Sequence, residues 1–83
     1  MYEIILTQRA LKDLENIDKE TQQRIALKLK EYAEEPLKYA RKLTHPKIGT
    51  YRFRIGDYRI IFDIDGAIVV ILRIGHRSHI YKY

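Results

Sequence analysis

Residues Thr50 to Gly66, TYRFRIGDYRIIFDIDG, leave this chain little choice of fold. Tyr51, Phe53 and Ile55 alternate with Arg52 and Arg54, and after Gly56-Asp57 the alternation resumes with Tyr58, Ile60 and Phe62 around Arg59. A period of two is that of a strand with one buried face; a helix would scatter these side chains around its axis. Gly56-Asp57 reads as a two-residue hairpin turn, and Asp65-Gly66 as a stronger turn signal of the type I′ kind. With Gly56-Asp57 as the turn, residue 55 faces 58, 54 faces 59 and 53 faces 60. The aromatic and aliphatic side chains then share a face able to pack on helices. On the other face Arg54 stands directly opposite Arg59, with Arg52 two residues along.

The flanking segments complete the architecture. Tyr2 to Leu6, YEIIL, reads as a first strand, and Thr7 as the N-cap of a helix whose apolar positions are Ala10, Leu11, Leu14 and Ile17. Asp18 can end that helix and cap the next, where Ile25, Leu29, Tyr32 and Ala33 form one apolar stripe. Pro36 stops it, because the residue before a proline avoids the α region. A connector from Leu37 to Gly49 carries Lys38, Arg41, Lys42 and Lys47. The last strand, AIVVILRI, is apolar on both faces, as an interior strand is. The expected fold is α+β, in the order β-α-α-β-β-β: a twisted antiparallel sheet with a helical hairpin on one face.

Eighty-three residues make one domain, 1–83, with a modest core. Absence of cysteine excludes disulfides and thiolate chemistry. No apolar run approaches the ~20 residues of a membrane span, and no charged leader precedes an apolar stretch, so a cytoplasmic location is expected. The net charge of +5 is lopsided. Residues 1–40 hold seven Lys/Arg and eight Asp/Glu, whereas residues 41–83 hold nine and three. A basic half joined to a balanced half suggests a polyanion-binding surface.

Three arginines on one strand face sharpen that suggestion. Like charges opposed across a strand pair destabilise it by a few tenths of a kcal/mol or more. An anion between the guanidinium forks relieves the repulsion, and arginine binds phosphate oxygens bidentately. The plainer alternative is a solvated face paired with Asp57 and Asp63. The end of the chain, GHRSHIYKY, adds His76, Arg77, His79 and Tyr81, and an antiparallel order returns it to the strand bearing Arg59. His76 and His79, at i and i+3, are a weak metal signal without a nearby carboxylate or cysteine. An imidazole, a phenol and four guanidiniums form an inventory suited to phosphodiester chemistry without a metal or other cofactor.

Together these segments resemble the RelE branch of the RelE/ParE superfamily of bacterial and archaeal toxins. The likeness runs through YEIILTQRALKDLENI, KLTH-P-K-IGTYRFRIGDYRIIFDID and VVILRIGHRSHIY. It implies a compact α+β fold related to small microbial ribonucleases. It further implies a type II toxin-antitoxin toxin that enters the ribosomal A site and cuts mRNA as a metal-free endoribonuclease. In that chemistry the 2′-hydroxyl attacks the adjacent phosphate, leaving a 2′,3′-cyclic phosphate. A cognate acidic antitoxin would hold the toxin inactive in a hetero-oligomer.

Carried over by position, the family's two basic strand residues match Arg52 and Arg54, its next arginine Arg59, the arginine after the glycine Arg77, and its C-terminal tyrosine Tyr81. Studied relatives have lysines where Arg52 and Arg54 stand, and a guanidinium is a poor general base. His76 is therefore the candidate for proton transfer, since an imidazole ordinarily titrates near ~6.5, with His79 second. Tyr81 would stack on a base or orient the 2′-hydroxyl. Arg41, Lys42 and Lys47, with His79, would hold RNA through its phosphates. The chain stops at Tyr83, which leaves a few residues at most for a C-terminal helix. The alternatives are a ParE-like toxin that poisons DNA gyrase, and a non-catalytic RNA- or antitoxin-binding relative.

Overall fold

The computed structural model describes residues 2–44 and 48–80. Its elements are β1 (Glu3–Leu6), α1 (Gln8–Glu15), α2 (Lys19–Tyr32), α3 (Pro36–Tyr39), β2 (Arg41–Lys42), β3 (Tyr51–Ile55), β4 (Tyr58–Asp65) and β5 (Ile68–His76). They build one five-stranded sheet in the order β1-β5-β4-β3-β2. Two short elements occupy what reads from sequence as a helix stop and a connector: α3, which Pro36 opens as its first residue, and β2.

The two longer helices, α1 and α2, start where a side chain can take an unpaired amide. The Thr7 hydroxyl accepts from the Ala10 amide at 3.1 Å, and the Asp18 carboxylate from the Thr21 amide at 3.1 Å. Gln22 closes the hairpin between them: its Nε2 donates to the carbonyls of Leu14 and Ile17, both at 2.8 Å. Ala10, Ile25 and Leu29 then meet Phe53, Ile55, Ile60, Phe62, Val69, Ile71 and Ile74 in one buried cluster. The α2 stripe continues through aromatic rings, with Tyr32 stacked on Tyr39 at 4.4 Å and tilted against Phe53 at 5.2 Å.

The sheet is mixed rather than wholly antiparallel, because β1 runs parallel to β5, with Ile4 beside Val69 and Leu6 beside Ile71. The apolar pattern of YEIIL selects a buried face and carries no information on strand direction. The second turn is also displaced by one residue. Asp65 pairs with Ile68, so the turn residues are Gly66 and Ala67. Only Gly66 has positive φ, at +60°, and a type I′ turn needs positive φ at both central positions. Beyond the end of β1, Asp13 from α1 covers the edge of β5. Its Oδ2 accepts from the Ile74 amide at 3.0 Å and from Arg73 Nε at 2.8 Å.

Candidate nucleic-acid interface

The β3–β4 ladder pairs Ile55 with Tyr58, Arg54 with Arg59, Phe53 with Ile60 and Arg52 with Ile61. Residues opposed across a ladder point to the same side, so Arg52, Arg54 and Arg59 do share the face away from the helices. Two neighbours join them. Arg41 in β2 pairs with Arg52, and Arg73 in β5 pairs with Ile61. Among the described residues this face therefore carries five arginines spread over four strands. Lys42 pairs with Tyr51 and falls on the opposite face, away from Arg41. Lys47 and Tyr81 lie outside the described residues.

These arginines occupy different environments. Arg73 is tied to Asp13. Arg54 is exposed and Arg52 half-buried. Among the described residues no carboxylate lies within ion-pair distance of either. Asp63, one carboxylate that could have paired with them, instead accepts the Thr50 amide at 2.7 Å. Arg59 is only 6% exposed, and its Nη1 donates to the carbonyls of Tyr58 and Gly56, at 3.2 and 3.4 Å. Its charge thus sits beneath the turn that joins β3 to β4.

Two glycines explain what covers the rest of this face. A Cβ on Gly49 would lie 2.5 Å from Ile61 Cγ2 and 3.0 Å from Leu72 Cδ1, so the connector rests directly on the sheet there. A Cβ on Gly75, opposite Arg59, would come within 2.8 Å of Ile80 Cδ1. Gly75 has no positive φ; the position needs room for Ile80, which is 3% exposed. The β4–β5 register shifts between Ile61, which pairs with Arg73, and Phe62, which pairs with Ile71, so Leu72 is the extra residue of a bulge.

His76, the last residue of β5, pairs with Tyr58 and sets its ring edge-on to the Tyr58 ring at 5.6 Å. That is the helix side of the sheet, opposite to Arg59. The chain then makes a tight turn, with the amides of His79 and Ile80 both donating to the His76 carbonyl at 2.9 Å. The turn carries it around the sheet's end, so that Ile80 arrives on the arginine side. Along this crossing the Arg77 amide donates to the Asp57 carbonyl at 2.8 Å, and Arg77 Nε lies 3.9 Å from Asp57 Oδ1. Ser78 sits between the two imidazoles, 2.8 Å from His76 Nδ1 and 2.9 Å from His79 Nδ1.

One end of the sheet thus gathers Arg54, Arg59, Arg77, His76 and His79, with Arg52 and Arg41 one row further along the arginine face. Such a rim offers the exposed fork of Arg54 for a phosphate, with two imidazoles in the turn that closes the same end of the sheet. Sequence reasoning missed Ser78, Ile80 and the use of Asp57 as an anchor for the last turn. Ser78 had a readable signal, a hydroxyl flanked within two residues on each side by histidine; the other two depend on tertiary packing.

A family model described as the ParE toxin of the type II toxin-antitoxin system, parDE, matches residues 4–81. Toxin RelG of Mycobacterium tuberculosis is 42% identical over 50 residues, which is 58% of either chain. Toxin RelE3 of Methanocaldococcus jannaschii is 30% identical over 84 residues, 96% of each chain. The crystal structure of the toxin-antitoxin complex RelBE2 from Mycobacterium tuberculosis contains a chain that superposes with a TM-score of 0.81. That chain is 30% identical, and the alignment covers 92% of this protein and 98% of the other. A match over nearly the whole sequence, joined to the same fold, settles the assignment: the chain belongs to the RelE/ParE superfamily of type II toxin-antitoxin toxins.

Proposed function

We propose that this toxin is an endoribonuclease that cleaves mRNA in the ribosomal A site. The observation that carries the reading is the Arg54–Arg59 pair, flanked on its own face by Arg52 and Arg41. Four guanidiniums held together in this way repel one another and are complementary to a phosphodiester, whose oxygens accept their forks. Arg54 and Arg52 bind the scissile phosphate from the exposed side. Arg59 supplies charge from beneath the turn, and Arg77 stands at the rim toward the leaving 5′-oxygen. As the 2′-hydroxyl attacks, the extra negative charge on the pentacoordinate phosphorus is stabilised by groups already in place.

The proton-transfer groups are assigned to the last turn. An arginine does not give up its proton at working pH, so the 2′-hydroxyl proton goes to an imidazole of the His76–His79 pair. Tyr81 follows directly and is assigned to the substrate base or the 2′-hydroxyl. Arg41 and Lys47 reach ribosomal RNA phosphates, and Lys42 does so from the other side of the sheet. The relatives named RelG and RelE3 support this branch. The partner is an acidic antitoxin, in keeping with the toxin-antitoxin complex that supplies the structural likeness.

The ParE description of the matching family model favours one other reading, a toxin directed at DNA gyrase. The two separate in one experiment. Expression of the chain alone, followed by mapping of mRNA ends, gives cuts at A-site codons on the RelE reading. Gyrase-linked DNA breaks with intact mRNA would select the ParE reading.

A further inference from the structure

The contacts in the last turn assign a protonation pattern, and we infer that Ser78 holds His76 and His79 in opposite tautomers. The inference deepens the ribonuclease reading and rests on it for its chemical consequence. Ser78 touches His76 Nδ1 twice, through its hydroxyl at 2.8 Å and through its backbone amide at 3.2 Å. An amide is always a donor, so His76 Nδ1 must be the bare, accepting nitrogen, and the His76 proton sits on Nε2. A proton on Nδ1 would confront the amide N–H across 3.2 Å.

The hydroxyl has a single hydrogen. With Oγ 2.8 Å from a bare nitrogen, that hydrogen points at His76, since two lone pairs facing each other would repel. The contact of 2.9 Å from Oγ to His79 Nδ1 then needs its hydrogen from the ring. His79 is therefore protonated on Nδ1 and bare on Nε2. The three contacts are satisfied together only by this arrangement. It makes a directed chain from His79 Nδ1–H to Ser78 Oγ–H to His76 Nδ1.

The outer nitrogens are thus unlike: His79 Nε2 presents a lone pair and His76 Nε2 presents a proton. Two adjacent imidazoles prepared as acceptor and donor are what transfer between a 2′-hydroxyl and a 5′-oxygen requires. In the forward direction His79 Nε2 takes the 2′-hydroxyl proton, and His79 Nδ1 passes its own to Ser78 Oγ. The serine hydrogen moves to His76 Nδ1, and the proton on His76 Nε2 goes to the leaving 5′-oxygen. The 2′-oxygen–phosphorus bond forms as the phosphorus–5′-oxygen bond breaks, and no proton is gained or lost by the protein. Ser78 is a positioning residue in this scheme, acting only through the two rings. The other groups facing the pair are the Tyr58 ring against His76 and the Arg77 and Asp57 charges on the same rim.

The test is the histidine ¹⁵N–¹H long-range spectrum of the full-length chain at a pH where both rings are neutral, recorded for wild type, Ser78→Ala and Ser78→Thr. The expected result is His76 as the Nε2–H tautomer and His79 as the Nδ1–H tautomer in wild type and in Ser78→Thr. In Ser78→Ala, His79 returns to the Nε2–H form usual for a free imidazole. Wild-type His79 in the Nε2–H form, or a His79 tautomer unmoved by Ser78→Ala, overturns the inference. Ribosome-dependent cleavage supplies the second readout: Ser78→Ala should lower kcat by tenfold or more with KM unchanged and an altered pH profile, and Ser78→Thr should restore both. A Ser78→Ala variant that cuts at the wild-type rate overturns the relay. The spectra need no RNA, so a chain with the expected tautomers that never cuts mRNA would sink the ribonuclease reading and leave the tautomer assignment standing.

Discussion

Arg54 and Arg59 lie directly opposite each other across the β3–β4 ladder, yet one is exposed and the other is 6% exposed beneath its own turn. Like charges directly opposed across a ladder repel, and an anion held between two guanidinium forks relieves that repulsion. Replacing the exposed member therefore separates stability from function. Arg54→Thr removes the repulsion and keeps a good strand former, so it should raise stability by about 0.2–1 kcal/mol. The same change should lower RNA cleavage. Urea unfolding beside a cleavage assay reads both; a less stable Arg54→Thr would show that the two charges are already neutralised within the fold.

Gly75 is expected to tolerate no side chain while Ile80 keeps its place. Gly75→Ala brings a Cβ to within 2.8 Å of Ile80 Cδ1, overpacking that typically costs about 1–3 kcal/mol. Ile80→Val removes that methyl, so the double variant should recover most of the loss. A thermal-denaturation double-mutant cycle measures the coupling, and additive losses would contradict the contact.

How much of this was legible beforehand differs from residue to residue. The Arg54–Arg59 register could be read because alternation and a Gly-Asp turn point to the same pairing. Gly66 misled by one place, since Asp-Gly marks a turn without saying which residue enters it first. The burial of Arg59 was hidden: alternation tells which face a side chain is on, not what lies over it. Similarly, a glycine just before His76 leaves its face unreadable from sequence; the ladder sets it beside Tyr58 on the helix side, and the turn at 76–80 returns the chain to the arginines.

Asp13 is expected to matter more than a surface carboxylate, because it pairs with Arg73 and also takes the Ile74 amide at the edge of β5. Asp13→Ala strands both donors and should cost about 1.5–3 kcal/mol, the range for hydrogen bonds to charged groups. Asp13→Asn should lose less, since its side-chain oxygen can still accept from Ile74. Equal losses in the two variants, measured by urea unfolding, would place the effect in the charge alone.

Acid should weaken the start of α2. The Thr21 hydroxyl, donating to Asp18 at 2.8 Å, and then the Thr21 amide hold the Asp18 carboxyl below its ordinary 3.8. A lowered folded-state pKa contributes stability that is present above 3.8 and is lost as the pH falls through the folded value. Asp18→Asn retains a good cap and cannot titrate there. It should match wild type near neutrality and show a shallower loss of stability on the acid side. Identical acid limbs in the two proteins would remove Asp18 from the account.

The central claim is that the arginine face acts on an RNA phosphodiester, and end-mapping of mRNA on programmed ribosomes tests it most directly. With the purified chain, the account predicts new ends at the A-site codon bearing a 2′,3′-cyclic phosphate and a 5′-hydroxyl. It also predicts that Arg54→Ala lowers the single-turnover rate at every pH between about 5 and 8, because a guanidinium does not titrate in that range. Intact mRNA with wild-type toxin, or a folded Arg54→Ala variant that cuts as fast as wild type, would contradict it.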